Sequence, residues 1–350
     1  MLVDTSPARG PVRPRQMAGT GAIVPGLLAA VAIAVVSTGI ARMAPIIGSA
    51  VPAVILGAII ATIRRPKAAL LPGIVFTGQR VLQAAVVLLG LRLSLRQVVA
   101  VGAGSLPVML CTLAACLTVA QLAGRLLRIN GDLRQLIGSG TGICGASAIA
   151  TVAPVIGADA TAIAYSVSTI FVFNVAAVVI FPIVGHALGM SSHAFGLFAG
   201  TAVNDTSSVV ATASAYGPAA ANYAVVVKLV RTLMIIPIVL VLMIMKGRRT
   251  ATPGSPRLTP IGVARLVPWF LVGFLVAAAM NSIGLVSRGA DSLITPVATF
   301  LISTAMAAIG LSTDLAALRR TGARPLLLGA ILWVTVTLAS LGVQAGTSGL

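Results

Sequence analysis

The sequence predicts an all-α polytopic membrane protein of about 9–11 transmembrane segments, two of them interrupted (discontinuous or re-entrant) and related by an internal repeat. Three observations carry this reading. Of 350 residues, 58% are hydrophobic and 9% are charged, against about 25% charged in an ordinary soluble domain. That leaves too little polar surface to coat a water-soluble globule. At ~20 apolar residues per crossing, the composition supports roughly ten spans. The apolar runs are continuous rather than alternating, which argues against a transmembrane barrel. A soluble enzyme, a disordered chain and a secreted disulfide scaffold are excluded on the same grounds.

Taken in order, residues 1–21 carry Arg9, Arg13 and Arg15 among several prolines and read as a cytoplasmic N-terminal tail. Residues 22–350 read as a single transmembrane transporter domain. The first apolar run, Ala22 to Ala41, exceeds the ~7–15 residues of a signal-peptide core and reads as a retained span. Further apolar segments follow at about 46–63, 72–91, 100–124, 135–157, 160–185, 192–217, 220–245, 261–283, 291–313 and 325–345. Turn and charge signals separate them, such as Arg64-Arg65-Pro66-Lys67 and Arg319-Arg320-Thr321-Gly322.

The net charge is +18, from 24 Lys and Arg against six acids, all Asp. A cytoplasmic N-terminus puts seventeen basic residues inside: Arg9, Arg13, Arg15, Arg64, Arg65, Lys67, Arg125, Arg128, Arg134, Lys246, Arg248, Arg249, Arg257, Arg265, Arg319, Arg320 and Arg324. Four fall outside (Arg42, Arg92, Arg96 and Arg288), and Arg80, Lys228 and Arg231 lie within spans. Cytoplasmic loops collect Lys and Arg, so the charge reads as topology rather than as a nucleic-acid site. Cys111, Cys116 and Cys144 form no CxxC pair and read as small buried residues. His186 and His193 read as solvated loop histidines. No metal and no cofactor is called for.

Two segments are not ordinary spans. Residues 137–157 read IGSGTGICGASAIATVAPVIG, and 196–217 read GLFAGTAVNDTSSVVATASAYG. Unwound backbone in a membrane is tolerated only where it faces protein or a watery cavity. These segments, about 135–157 and 192–217, are therefore the candidates for interrupted helices around a site. They match at an offset of 60, where Gly140, Thr141, Ser147, Ala153 and Gly157 recur as Gly200, Thr201, Ser207, Ala213 and Gly217. A weaker echo at an offset of 220 relates Gly90-Leu91 to Gly310-Leu311. If both interrupted segments cross, the repeats run parallel; if both re-enter, the repeats are inverted. Inverted repeats are the commoner transporter plan and the one expected.

Lys228 and Arg231 stand three apart in one apolar run and share a helix face. A central Lys or Arg costs ~2.5–3.5 kcal/mol on insertion scales, so the pair is expected to face a polar cavity, the alternative being a snorkelling or structurally paired cation. Asp205, in Asn204-Asp205-Thr206-Ser207-Ser208, is the one carboxylate deep in an apolar segment. Two cations against one acid leave room for an anionic substrate. Half-helix ends near Gly142, Gly145 and Ser147 and near Asn204 to Ser208 would add N–H and hydroxyl donors. Asp205 is also read as a helix N-cap or as a carrier of a coupling proton or sodium ion. Arg80, in Gln79-Arg80-Val81-Leu82-Gln83, is expected to anchor at the interface, and Asn174 and Asn222 to bond between helices. No HExxH, Walker lysine loop or nucleophile elbow is present, so no enzyme is expected.

The strings GTGICGASAIATVAPVIGA (140–158), FGLFAGTAVNDTSSVVATASAYG (195–217) and VKLVRTLMIIPIV (227–239) resemble the sulfate exporter family, YeiH-type bacterial inner-membrane proteins. In length and motif order the resemblance covers most of the chain. More distantly, the GL turn at 90–91, the Gly-rich interrupted helix and the helix ending near Pro182 look like the bile-acid symporter and cation/proton antiporter superfamily. That resemblance implies a panel and a core domain, crossing interrupted helices and alternating access. The second GL turn, at 310–311, departs from that plan by following the second interrupted segment. The expectation is a secondary transporter in the bacterial inner membrane that exports a small anion such as sulfate or sulfite. The alternatives are a sodium/proton antiporter using Asp205 and a non-transporting membrane receptor. The expected partners are the anion, a coupling proton or sodium, the lipid bilayer and a second copy in a homodimer; no nucleic acid is expected.

Overall fold

The computed structural model describes residues 20–43, 49–239, 241–242, 269–286, 291–312 and 322–347. The expected tail up to Gly19, the basic runs Lys246–Arg249 and Arg319–Arg320, and Arg257, Arg265, Arg288 and Asp314 lie outside them. The regular structure of the described residues is all helical, in the order the apolar segments set. The helices are α1 Thr20–Met43, α2 Ala50–Ile63, α3 Leu71–Gly90 and α4 Leu95–Leu126. Then come α5 Gly131–Gly142, α6 Ala146–Ile156, α7 Ala160–Ala187, α8 Ser192–Ala202, α9 Thr206–Tyr216 and α10 Pro218–Leu233. The last three are α11 Trp269–Ser282, α12 Asp291–Leu311 and α13 Ala323–Thr347. Seven helical stretches among the described residues are long and apolar enough to cross a bilayer.

Local chemistry sets the helix starts. Ser94 and Gln97 close a capping box at the head of α4. The Asp159 carboxylate accepts from the Ala162 amide at 2.6 Å at the head of α7, and Ser191 caps α8. α3 is interrupted by a π-helical turn over Thr77–Val81. A π turn inserts an extra residue and rotates the helix beyond it, a feature frequent at functional sites.

The two Gly-rich segments fold back on themselves. Gly140 in α5 and Ile149 in α6 are nine residues apart, yet a Cβ at Gly140 would stand 3.0 Å from the Ile149 side chain. Phe195 near the start of α8 and Tyr216 at the end of α9 stack with ring centroids 3.9 Å apart. In a straight crossing helix those rings would be separated by ~30 Å. Each segment is therefore a helical hairpin, α5–α6 and α8–α9, rather than a discontinuous crossing. Each arm has 11 or 12 residues, so ~17 Å, about half a bilayer core. Helix α7 joins the base of the first hairpin to the base of the second over 28 residues, which at ~1.5 Å per residue is ~42 Å. The hairpins thus enter from opposite ends of the bundle, and their tips meet in the middle.

The helices pack in two groups. One comprises α1, α2, α3, α11 and α12; the other holds both hairpins with α4, α7, α10 and α13. The second group is braced by Phe181 of α7, which stacks on Trp333 of α13 and packs on Phe198 of α8. The groups meet along α9, which touches α2 and α12.

Several local expectations are corrected. His186 and His193 are not loop residues. Each lies within a helix end, against Tyr216 at 4.3 Å and Tyr223 at 3.8 Å, because α7 and α8 run further than the apolar pattern. Cys111 is exposed on α4, while Cys116 and Cys144 are buried as expected. The Oδ1 atoms of Asn174 and Asn222 are buried without a hydrogen-bond partner, so neither makes the interhelical bond expected of that oxygen.

Candidate functional site: two opposed hairpin tips and a cavity between helix groups

The hairpin tips are short unwound stretches, residues 143–145 and 203–205. Gly145 supplies the first turn. Its φ of +71° is a conformation that side chains disfavour, and a Cβ there would lie 3.2 Å from the Asp205 Cβ. Asp205 caps α9: its Oδ2 accepts from the Ser207 and Ser208 amides at 3.2 and 3.4 Å and from the Ser207 hydroxyl. The tips therefore touch at Gly145 and Asp205.

Lys228 and Arg231 sit directly behind the tips, both with 0% exposure. Lys228 Nζ donates to the carbonyl oxygens of Ile143 at 2.8 Å and Val203 at 2.9 Å. Arg231 donates through Nε to Gly142 at 2.9 Å, through Nη2 to Thr141 at 3.0 Å and through Nη1 to the Thr201 carbonyl. These are the last carbonyls of α5 and α8, which no intrahelical donor can satisfy. Each helix end also carries about half a negative charge. Two otherwise costly buried cations and two otherwise orphaned helix ends stabilise each other. Close backbone contact makes this possible: Gly200 of α8 packs on Val227 of α10, and a Cβ there would meet that side chain at 2.7 Å.

Four of the five bonded carbonyls fall in pairs, with Gly142 the exception. Ile143 and Val203 share Lys228, and Thr141 and Thr201 share Arg231. Each pair is sixty positions apart, the offset of the sequence echo.

The opposite helix ends face a cavity. The first turns of α6 and α9 contribute Ser147 and Thr206 to a space of about 320 Å³ that Cys144 and Thr232 also line. The other helix group supplies Gln79, Arg80, Gln83, Trp269 and Phe270. Gln83 Oε1 accepts from Trp269 Nε1 at 3.0 Å and from Arg80 Nη1 at 3.4 Å. The cavity thus lies on the boundary between the two groups, with positive helix ends on one wall and a guanidinium on the other.

Compared with known proteins, residues 25–329 match the family described as conserved hypothetical protein 698. A UPF0324 membrane protein of Streptococcus pyogenes is 43% identical over 330 residues, 92% of this chain and 96% of its own. One from Streptococcus agalactiae is 40% identical over 328 residues, with 92% and 97% covered. One from Clostridium tetani is 38% identical over 330 residues, with 91% and 96% covered. The chain belongs to the UPF0324 membrane protein family.

In this UPF0324 protein the ten residues singled out from sequence converge at the two tips. Gly142, Gly145 and Ser147 belong to one hairpin, Asn204, Asp205, Thr206, Ser207 and Ser208 to the other, and Lys228 and Arg231 lie beneath. Among them, Ser147 and Thr206 line the cavity. Lys228 and Arg231, expected to face a polar cavity, place two and three hydrogen bonds respectively on backbone carbonyls of the tips. Asp205 does not serve as their chief counter-charge, because helix C-termini do. Gln79, Gln83, Cys144, Thr232, Trp269 and Phe270 were not singled out, and Arg80 was expected at the interface. Gln79 and Gln83, four apart in an apolar run, were the available signal for a shared polar face.

Proposed function

We propose that this protein is a secondary transporter that exports a small inorganic oxyanion, sulfate or sulfite, by alternating access. One observation carries the reading: two half-helix N-termini and Arg80 face a single cavity at the boundary between two helix groups. Each N-terminus presents about half a positive charge; that of α9 is capped by Asp205 through the Ser207 and Ser208 amides, while that of α6 has no side-chain cap and offers its first-turn N–H groups to an anion. A guanidinium binds two oxygens of one anion at once, which favours an oxyanion over a halide. Gln79, Gln83, Ser147 and Thr206 supply neutral donors around it. The carbonyl-rich helix ends that would attract a metal cation are already bound to Lys228 and Arg231.

Relative motion of the two groups would open the cavity to one side and then the other, with opposed hairpins acting as the gates. Under this reading the hairpins are halves of an inverted repeat, and the N-terminus is cytoplasmic in the bacterial plasma membrane. The protein performs no covalent chemistry and needs no cofactor. Asp205, at the contact between the tips, would carry the coupling proton or sodium ion.

A second reading, sodium/proton antiport through Asp205, is favoured by one feature: the neighbouring Asn204 is 1% exposed and its Oδ1 has no partner. Flux of labelled sulfate and sulfite into proteoliposomes, under a pH gradient and under a sodium gradient, separates the two. Gradient-driven anion flux is expected. Sodium-dependent proton flux without anion movement would replace the first reading with the second.

A further inference from the structure

A separate cavity of about 560 Å³ lies between α1, α2, α3 and α12, remote from the hairpin residues. Its floor is apolar and deep: Ile74 is 0%, Leu311 5% and Ile33 9% exposed. Its flank is open, since Ile60 is 42% exposed. Its rim is basic. Arg64 and Lys67 stand on the short link between α2 and α3, and both line the cavity. The Arg64 amide closes onto the Ile60 carbonyl at 2.8 Å, so the first cation is fixed at the end of α2.

The position of this groove decides its occupant. It runs along helices that present apolar side chains outward, including Ile59, Ile63 and Leu71. Its cations sit on the link that leads into α3, a helix long and apolar enough to cross a bilayer, and the end of such a helix lies at headgroup depth. A water-soluble anion would match the rim and leave the apolar floor empty. A zwitterionic lipid would bring an ammonium against three cations, since Arg65 lines the cavity beside Arg64 and Lys67. Basic pockets between transmembrane helices are suited to anionic phospholipids.

We infer that this groove binds an anionic phospholipid, with an acyl chain against Ile33, Ile60, Ile74 and Leu311 and the phosphodiester between Arg64 and Lys67. The lipid bridges α1 and α3 to α2 and α12, within the helix group that carries Arg80. The inference is independent of what the protein transports.

The test uses the purified full-length protein and three forms: wild type, the double variant Arg64→Gln with Lys67→Gln, and Ile60→Trp. Retained phosphatidylglycerol and phosphatidylcholine are measured by native mass spectrometry, and thermal midpoints are recorded with each lipid. Wild type should retain phosphatidylglycerol selectively and be stabilised by it. The double variant should lose about fivefold in affinity per cation, roughly thirtyfold in all. Ile60→Trp should displace the lipid while leaving both cations in place. Equal retention of both lipids, or selectivity that survives in the double variant, would overturn the inference. So would retention undiminished in a folded Ile60→Trp protein, which would mean surface charge alone. Stabilisation by glycerol phosphate equal to that by phosphatidylglycerol would reassign the groove to a soluble phosphate.

Discussion

Ile143 and Val203, at the tips of two different hairpins, present their carbonyl oxygens to one ammonium group, that of Lys228, at 2.8 and 2.9 Å. The two residues are sixty positions apart, as are Thr141 and Thr201, whose carbonyls share the Arg231 guanidinium. One face of α10 thus ties equivalent points of two opposed hairpins to each other. The hairpins gain a fixed hinge point behind their tips, while on the cavity side the α6 N-terminus has no side-chain cap and that of α9 is capped by Asp205.

Removing the Lys228 amine should therefore loosen the tips before it touches any ligand contact. Lys228→Met leaves two buried carbonyls unpaired, at about 1–3 kcal/mol each. The unfolding midpoint of the purified variant should fall well below that of wild type, with or without anion present. An unchanged midpoint would remove the structural role of the amine.

Arg231→Lys keeps the charge and loses the fork. Three carbonyls, those of Gly142, Thr141 and Thr201, are served by one guanidinium, and an ammonium is a point donor on a flexible stem. At least one carbonyl should be orphaned, at about 1–3 kcal/mol. Chemical denaturation in detergent measures it, and wild-type stability in Arg231→Lys would contradict the assignment of three carbonyls to the guanidinium.

How much of this was legible in the chain? The hairpin positions were, because small residues and turn-forming glycines interrupt two apolar runs that otherwise read as spans. Lys228, Arg231 and Asp205 were also legible, because charges are rare inside such runs. Their partners were not: a backbone carbonyl has no signature in a sequence, so the cations read as free to meet an anion. Arg80 was expected to anchor at the interface, and its place on the cavity wall was not legible. It lies within the π turn over Thr77–Val81, which turns the face of the helix and leaves no mark in hydropathy. The fold-back of each segment rested on contacts such as Phe195 on Tyr216, which apolar length alone does not distinguish from a crossing.

Asp205→Asn separates the cap from the charge. Asn is as good an N-cap as Asp, so helix α9 should keep its start and the midpoint should change by less than about 1 kcal/mol equivalent. Coupling should be lost: anion exchange should continue without a gradient response. Wild-type gradient-driven flux in the variant would show that Asp205 is a cap and nothing more.

Gly145→Ala puts a side chain where φ is +71° and where a Cβ meets Asp205 at 3.2 Å. With ψ at −133° this is a sparsely populated region for side chains, and the backbone cost is about 1–3 kcal/mol. The contact falls on the meeting point of the tips, so transport rate should drop more than stability does. Paired flux and denaturation measurements check the ratio, and equal losses would mean simple unfolding.

The most direct measurement is calorimetric titration of sulfate and sulfite into purified wild type beside Arg80→Gln, with unfolding midpoints recorded for both. Arg80 is exposed and lines the cavity without bracing the tips, so the variant should be as stable as wild type. Loss of its charge-assisted bonds should weaken anion binding by at least about tenfold. Equal affinity in the two proteins would contradict the assignment of the anion to the cavity between Arg80 and the hairpin tips.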